Sequence, residues 1–198
     1  QLGQPAPVLD LTDTTGKTVS LYNIIALFTV VVFWDPNCGH FKEEVPRLDS
    51  LYKAKWKNYG VAVYSVNIYE NEIPAWKKFI HEKNLVGWTH AYETKEAKAT
   101  VEKAGRPNYR QLYDIYKTPT IYLLDKDKCI IAKQLSLEQF DDLIETKRKS
   151  KNGSNKCHRF SQVFSVLILG NKNAANIFHR LYYSYHLIIP LVVYLNSL

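Results

Sequence analysis

The chain has 198 residues, 26 Lys and Arg against 19 Asp and Glu, and 46% apolar content, enough for one domain with a full core and some residues to spare. All 19 acids lie at or before Glu145, whereas 8 of the basic residues follow Thr146, so the net charge of +7 belongs to a tail and gives no argument for a nucleic-acid-binding domain. The three cysteines cannot all pair internally and match no zinc ligand spacing, and without a glycine-rich phosphate loop or a paired-carboxylate site no metal, nucleotide or organic cofactor is expected.

Val8 to Leu11 and Thr18 to Leu21 alternate apolar and polar residues around Asp13-Thr14-Thr15-Gly16-Lys17, which predicts two strands joined by a turn. Leu27 to Trp34 is apolar throughout except for Thr29, as in a strand covered on both faces. The period then changes. Phe41, Val45, Leu48, Tyr52 and Trp56 recur at helical steps, predicting a helix from about Cys38 to Asn58 with an apolar face and a kink at Pro46.

Val61 to Asn67 reads as the next buried strand, and Ile73, Trp76, Phe79 and Ile80 mark a helix behind it. Trp88 to Tyr92 reads as another short strand, followed by a polar stretch, Thr94 to Lys103, and a short helix, Gln111 to Tyr116. Thr118-Pro119-Thr120 opens a strand over Ile121 to Leu124, which Asp125 to Lys128 turns into a hairpin with Cys129 to Ala132. A last helix runs from Leu137 to about Lys147. This order is an α/β plan with a mixed central sheet flanked by helices.

Phe33-Trp34-Asp35-Pro36-Asn37-Cys38-Gly39-His40-Phe41 carries the chemistry. A thiolate attacks a disulfide to form a mixed disulfide, and a second thiol two residues further along the same helical turn normally releases it. Here Phe41 stands at that resolving position. Cys38 therefore needs an outside reductant thiol to complete a cycle. A helix N-terminus favours the thiolate, and His40 can add positive charge or a hydrogen bond. Taken alone, Cys-x-His reads first as a partly buried free cysteine beside a surface histidine. Cys129 and Cys157 are remote in sequence, and spacing does not say whether either approaches Cys38.

Several motifs in order decide between these readings. Gly3-Gln4-Pro5-Ala6-Pro7, Asp13-Thr14-Thr15-Gly16-Lys17, Phe33-Trp34, Cys38, Glu44-Val45-Pro46 and Pro119-Thr120 fall at the spacings of the thioredoxin fold. Over about Gly3 to Thr146 the chain resembles, more closely, the TlpA/ResA-like thiol-disulfide oxidoreductases of bacterial envelopes. The resemblance implies a thioredoxin fold with an N-terminal β-hairpin extension and a cis bond before Pro119. It also implies catalytic Cys38 and His40, with Trp34, Thr118 and Pro119 as the substrate platform. Partners would be protein or peptide thiols and disulfides, together with an external reductant thiol, in the periplasm or cell envelope. The Cys-Gly-His stretch also resembles that of protein disulfide isomerases, which supports an acidified Cys38. Two departures matter: Phe41 replaces the second redox cysteine, and Val32 stands where typical thioredoxins carry a buried acid that handles that cysteine's proton.

The leading reading is a thiol-disulfide oxidoreductase that is monothiol or impaired. The alternative is a non-enzymatic module that holds peptides or proteins in the same groove. A thiol peroxidase shares the fold and the opening motif, but Val31 and Asp35 stand where its Pro and Thr/Ser would precede the cysteine. Residues 1–149 form the predicted domain and 150–198 a basic, apolar tail. A membrane span wants about twenty apolar residues, and His186 and Pro190 interrupt the tail. Packing on the domain is a second reading of the tail. An extension with no evolved role, poorly ordered, fits the abrupt loss of acids best. The chain contains no Met, position 1 included, which is compatible with an export signal removed ahead of Gln1 and equally with a trimmed chain.

Overall fold

The computed structural model describes residues 1–149 apart from Cys38, His40 and Glu70, and apart from the side chains of Phe41 and Lys42. The readings made above for residues 150–198 fall outside the described residues. The described chain forms a seven-stranded sheet in the order β2-β1-β5-β4-β3-β6-β7. The strands are β1 (Asp10–Asp13), β2 (Thr18–Ser20), β3 (Phe28–Trp34), β4 (Val61–Asn67), β5 (Thr89–Tyr92), β6 (Thr120–Asp125) and β7 (Ile130–Lys133). The helices are α1 (Phe41–Leu51), α2 (Ile73–Glu82), α3 (Lys95–Lys103), α4 (Tyr109–Leu112) and α5 (Leu137–Lys149). β3, β4 and β5 run parallel, while β1, β6 and β7 pair antiparallel to their neighbours. This is the mixed α/β sheet with an N-terminal hairpin that the sequence predicts.

β3 is an inner strand, between β4 and β6, and every one of its residues is buried, so its unbroken apolar run follows from cover on both faces. On one face Val30, Val32 and Trp34 pack with Val45 and Leu48 of α1, Trp76 of α2, and Leu137, Phe140 and Ile144 of α5. On the other, Val31 and Phe33 meet Leu9, Leu11, Tyr64, Tyr109, Tyr113 and Tyr122. Three tyrosines end on backbone carbonyls of the N-terminal segment. Tyr22 donates to Ala6 O (2.6 Å), Tyr113 to Pro7 O (2.6 Å) and Tyr64 to Val19 O (2.9 Å). These three bonds keep the hydroxyls of Tyr22, Tyr64 and Tyr113 satisfied, and the Gly3 to Pro7 strap and the β1–β2 hairpin are held onto the sheet.

The long predicted helix has a composite form. α1 ends at Leu51 with Pro46 inside it, a wide turn covers Tyr52–Trp56 and a tight turn Lys57–Tyr59. It stops at Gly60, whose φ of +73° is the left-handed conformation that suits glycine at a helix end. The stretch from Thr94 to Lys103, read from sequence only as polar, contains α3. The short helix predicted at Gln111 to Tyr116 begins earlier, at Tyr109.

Candidate functional site

β6 lies antiparallel to β3 with Phe33 opposite Thr120. That register sets Pro119 and Thr118 beside Trp34, at the end of β3 from which the chain runs on towards Cys38. The Thr118–Pro119 peptide is cis, and both residues are half-buried. Thr120, itself buried, donates its hydroxyl to Lys117 O at 2.6 Å, which closes the proline loop on itself. Tyr116, 90% exposed, stands just before this loop.

Trp34 is fully buried. Its Nε1 donates to Ser65 Oγ at 2.6 Å, and its ring packs on Phe79 of α2 at 5.4 Å. The indole is therefore packed into the core, with its polar edge held on β4. Beyond Trp34, Asp35 Oδ1 accepts from the Asn37 backbone N–H at 2.8 Å, and Asn37 Nδ2 donates to Glu72 Oε2 at 2.9 Å. Glu72 immediately precedes α2, so the segment leading to position 38 is fastened to the neighbouring helix. The predicted catalytic residues, Cys38 and His40, lie outside the described residues, and Phe41, at the degenerate resolving position, contributes its backbone, which opens α1.

Three features of this end of the sheet were not legible as site residues. Tyr69 follows β4, with its N–H on Asn67 Oδ1 at 3.0 Å, and is partly exposed beside the β3 terminus. Arg110 of α4 donates to Ile68 O, joining α4 to the same corner. Glu93 follows Tyr92, the register partner of Asn67, which is in turn the partner of Trp34. Its carboxylate is buried, 6% exposed. Val32 thus replaces the buried acid of typical thioredoxins on β3, while this chain buries another acid two strands away. The signal that could have found it is position: Glu93 is the first acid after a strand parallel to β3.

Cys129 is buried, next to Pro5 in a bridge between the N-terminal strap and β7. Its sulfur is held in a disulfide whose other half lies outside the described residues. Among the described residues no cluster of three or more His, Cys, Asp or Glu could hold a metal ion, and no helix is long and apolar enough to cross a membrane.

A proline loop with a cis bond, set against the end of a central parallel strand that leads into a cysteine and then a helix, defines the thioredoxin-like thiol-disulfide oxidoreductases. Residues 2–133 match the model of the AhpC/TSA family, and the chain belongs to that family. It is similar to the thiol-disulfide oxidoreductase ResA of Bacillus cereus, 27% identical over 145 residues, which are 73% of this chain and 75% of the relative. Among solved structures, a domain of a possible thiol-disulfide isomerase from Cytophaga hutchinsonii is 37% identical with a TM-score of 0.64, covering 76% of this chain and 95% of that one. The solution structure of a thiol:disulfide interchange protein from a Bacteroides species is 30% identical with a TM-score of 0.60, covering 80% of this chain and 95% of that one.

Proposed function

We propose that this protein is a monothiol member of its family, exchanging disulfides through Cys38 in the bacterial cell envelope. The observation that carries the reading is the register of Phe33 opposite Thr120, which sets the Thr118–Pro119 loop against the strand that leads to Cys38. An extended substrate segment lies along that loop, with Trp34 packed beside it. The Cys38 thiolate attacks one sulfur of a protein or peptide disulfide, forming a mixed disulfide and expelling the other sulfur as thiolate. His40 and the start of α1 hold the attacking sulfur ionised. Because Phe41 offers no second thiol, an external thiolate attacks the substrate sulfur of the mixed disulfide, expels Cys38 as thiolate and stays bonded to that sulfur, and a second external thiolate then frees it as the external disulfide leaves. Residues 1–149 carry this activity, and 150–198 are an extension without part in it. The envelope assignment rests on the ResA resemblance, and recovery of the processed protein in the periplasmic fraction checks it.

A second reading, a peptide-binding module without turnover, is favoured by Phe41 and by the exposed aromatic Tyr116 beside the proline loop. A thiol peroxidase is disfavoured by Val31 and Asp35 at the positions where that chemistry places Pro and Thr/Ser. A disulfide-reduction assay with a small-molecule thiol present separates the readings. Turnover that disappears in Cys38→Ser supports the monothiol mechanism. An inactive parent that gains turnover in Phe41→Cys identifies a binding protein that has lost its enzyme, and peroxide consumption by the parent identifies the peroxidase.

A further inference from the structure

Away from the proline loop, between α1, α2 and β5, four buried polar atoms make no hydrogen bond: Asp49 Oδ1, His90 Nδ1, Trp76 Nε1 and Trp88 Nε1. They belong to one cluster. The His90 ring stacks on Trp88 at 5.8 Å and meets Trp76 edge-on at 6.3 Å, Tyr52 meets Trp88 edge-on at 6.4 Å, and the Asp49 charge acts on both Tyr52 and His90.

The protonation of each member follows from its other contacts. His90 Nε2 lies 2.9 Å from Leu85 O, and a carbonyl only accepts, so Nε2 carries the hydrogen and Nδ1 of the neutral ring is an acceptor. Burial holds the imidazole below its ordinary pKa, in keeping with the neutral form. Asp49 Oδ2 pairs with Lys53 Nζ at 2.7 Å, and Lys53 also donates to Asn84 O at 2.7 Å, which closes the solvent side and leaves Oδ1 facing inward. An ionised carboxylate and a bare Nδ1 are both acceptors and cannot bond each other. Two indole N–H groups are both donors and cannot pair either. Leaving such groups dry costs about 1–3 kcal/mol each, and more than nine in ten buried polar groups in folded proteins have partners. What joins two acceptors to two donors is a small group that both donates and accepts.

We propose that Asp49, His90, Trp76 and Trp88 form an internal hydration site, in which a water donates its two protons to Asp49 Oδ1 and His90 Nδ1 and accepts from at least one indole N–H. Buried waters characteristically make about three such bonds. The site ties α1, α2 and β5 together. It also adjoins Ser65, the register partner of His90 across β4 and β5 and the acceptor for Trp34, so its loss would loosen the packing around Trp34.

Water-to-protein Overhauser transfer on the full chain tests this. A water held longer than the molecule's tumbling time gives laboratory-frame and rotating-frame signals of opposite sign at carbon-bound protons nearby. The expected result is such a pair at His90 Hε1 and on the Trp76 or Trp88 ring, with nitrogen shifts of His90 reporting the Nε2–H tautomer at neutral pH, and loss of the water signals in Asp49→Leu. Absence of those signals in the parent chain overturns the proposal. So does a His90 protonated on both nitrogens, because Nδ1 would then be a donor and not the acceptor that the site requires. Neither readout depends on the activity of Cys38, and the parent spectrum decides the matter if the variant fails to fold.

Discussion

Trp34 and Ser65 meet inside the sheet, the indole Nε1 donating to the serine Oγ at 2.6 Å with both residues fully buried. The bond fixes the edge of the ring against β4, directly behind the residues that lead to Cys38. Ser65→Ala removes the acceptor and strands a buried N–H, which costs about 1–3 kcal/mol. A lowered urea midpoint with unchanged slope is the expected result. In a cycle with Trp34→Phe, the Ser65→Ala penalty should shrink, because no indole N–H remains to be stranded. Equal penalties in both backgrounds would show that the hydrogen bond carries none of the cost.

Asp141 on α5 plays a matching part for the second indole. It accepts from Trp56 Nε1 at 2.8 Å and from Lys55 Nζ, linking α5 to the turn after α1. Asp141→Ala leaves the fully buried Trp56 N–H without its acceptor, at a cost of about 1–3 kcal/mol. Asp141→Asn keeps an oxygen in that place and gives up only the partly exposed ion pair, which contributes about 0–1 kcal/mol. Most of the stability should therefore return in the asparagine variant, as read from thermal or denaturant midpoints. An asparagine variant as unstable as the alanine one would put the stabilisation in the charge.

How far the sequence revealed these elements depended on whether burial or local chemistry made them. β3 was legible because cover on two faces demands a continuous apolar run, and the hairpins because their turns carry Asp, with Gly16 in the first. α3 escaped because it has no buried residue, so no apolar period marks it. Its signal was Thr94, whose side chain caps Ala97 N–H at 3.2 Å. α4 was placed two residues late because its start is set by the reciprocal cap between Asn108 and Gln111, and the apolar pattern did not show that cap. In the candidate site, the Pro119 loop was readable from ordered motifs. Trp34 was assigned to the substrate platform because its neighbours are functional, yet nothing in a sequence says which way an indole turns. Glu93 had only its place after a parallel strand to mark it, and the Asp49–His90 cluster was invisible because it is assembled between strands and helices distant in the chain.

His90 should give the fold a pH dependence of defined sign. Burial holds its pKa below the ordinary histidine value, opposed only in part by Asp49 and by the hydrogen bond to Leu85 O. The other charged neighbour is Lys53, held on Asp49. The unfolded chain therefore takes up a proton near pH 6.5, where the folded chain does not. The neutral ring's contribution is complete above that pH and is lost as the pH falls from about 6.5 towards the folded pKa. His90→Gln cannot titrate, so the gap in stability between parent and variant should narrow as denaturation is repeated from pH 7.5 down to 5. Parallel curves over that range would rule out a depressed His90.

Cys129 offers no free thiol to stand in for the one that Phe41 fails to provide, because its sulfur is held in a disulfide. Asp125 is opposite Phe28 at the start of β3, and Cys129 is fastened to Asp125 by a backbone bond of 3.0 Å and by its own N–H on Asp125 Oδ1 at 2.8 Å. Trp34, the last residue of β3 before the segment that contains position 38, is six residues further along, about 20 Å at the usual rise per residue. A disulfide needs Cα atoms within about 7 Å. Cys129→Ser should therefore leave the alkylation rate of Cys38 unchanged when read by peptide-resolved mass spectrometry, whereas Cys38→Ser removes mixed-disulfide formation altogether. A Cys38–Cys129 cross-linked peptide in the unreduced protein would overturn this, because it would require β3 and the β6–β7 hairpin to be arranged differently from the register that places Pro119 beside Trp34.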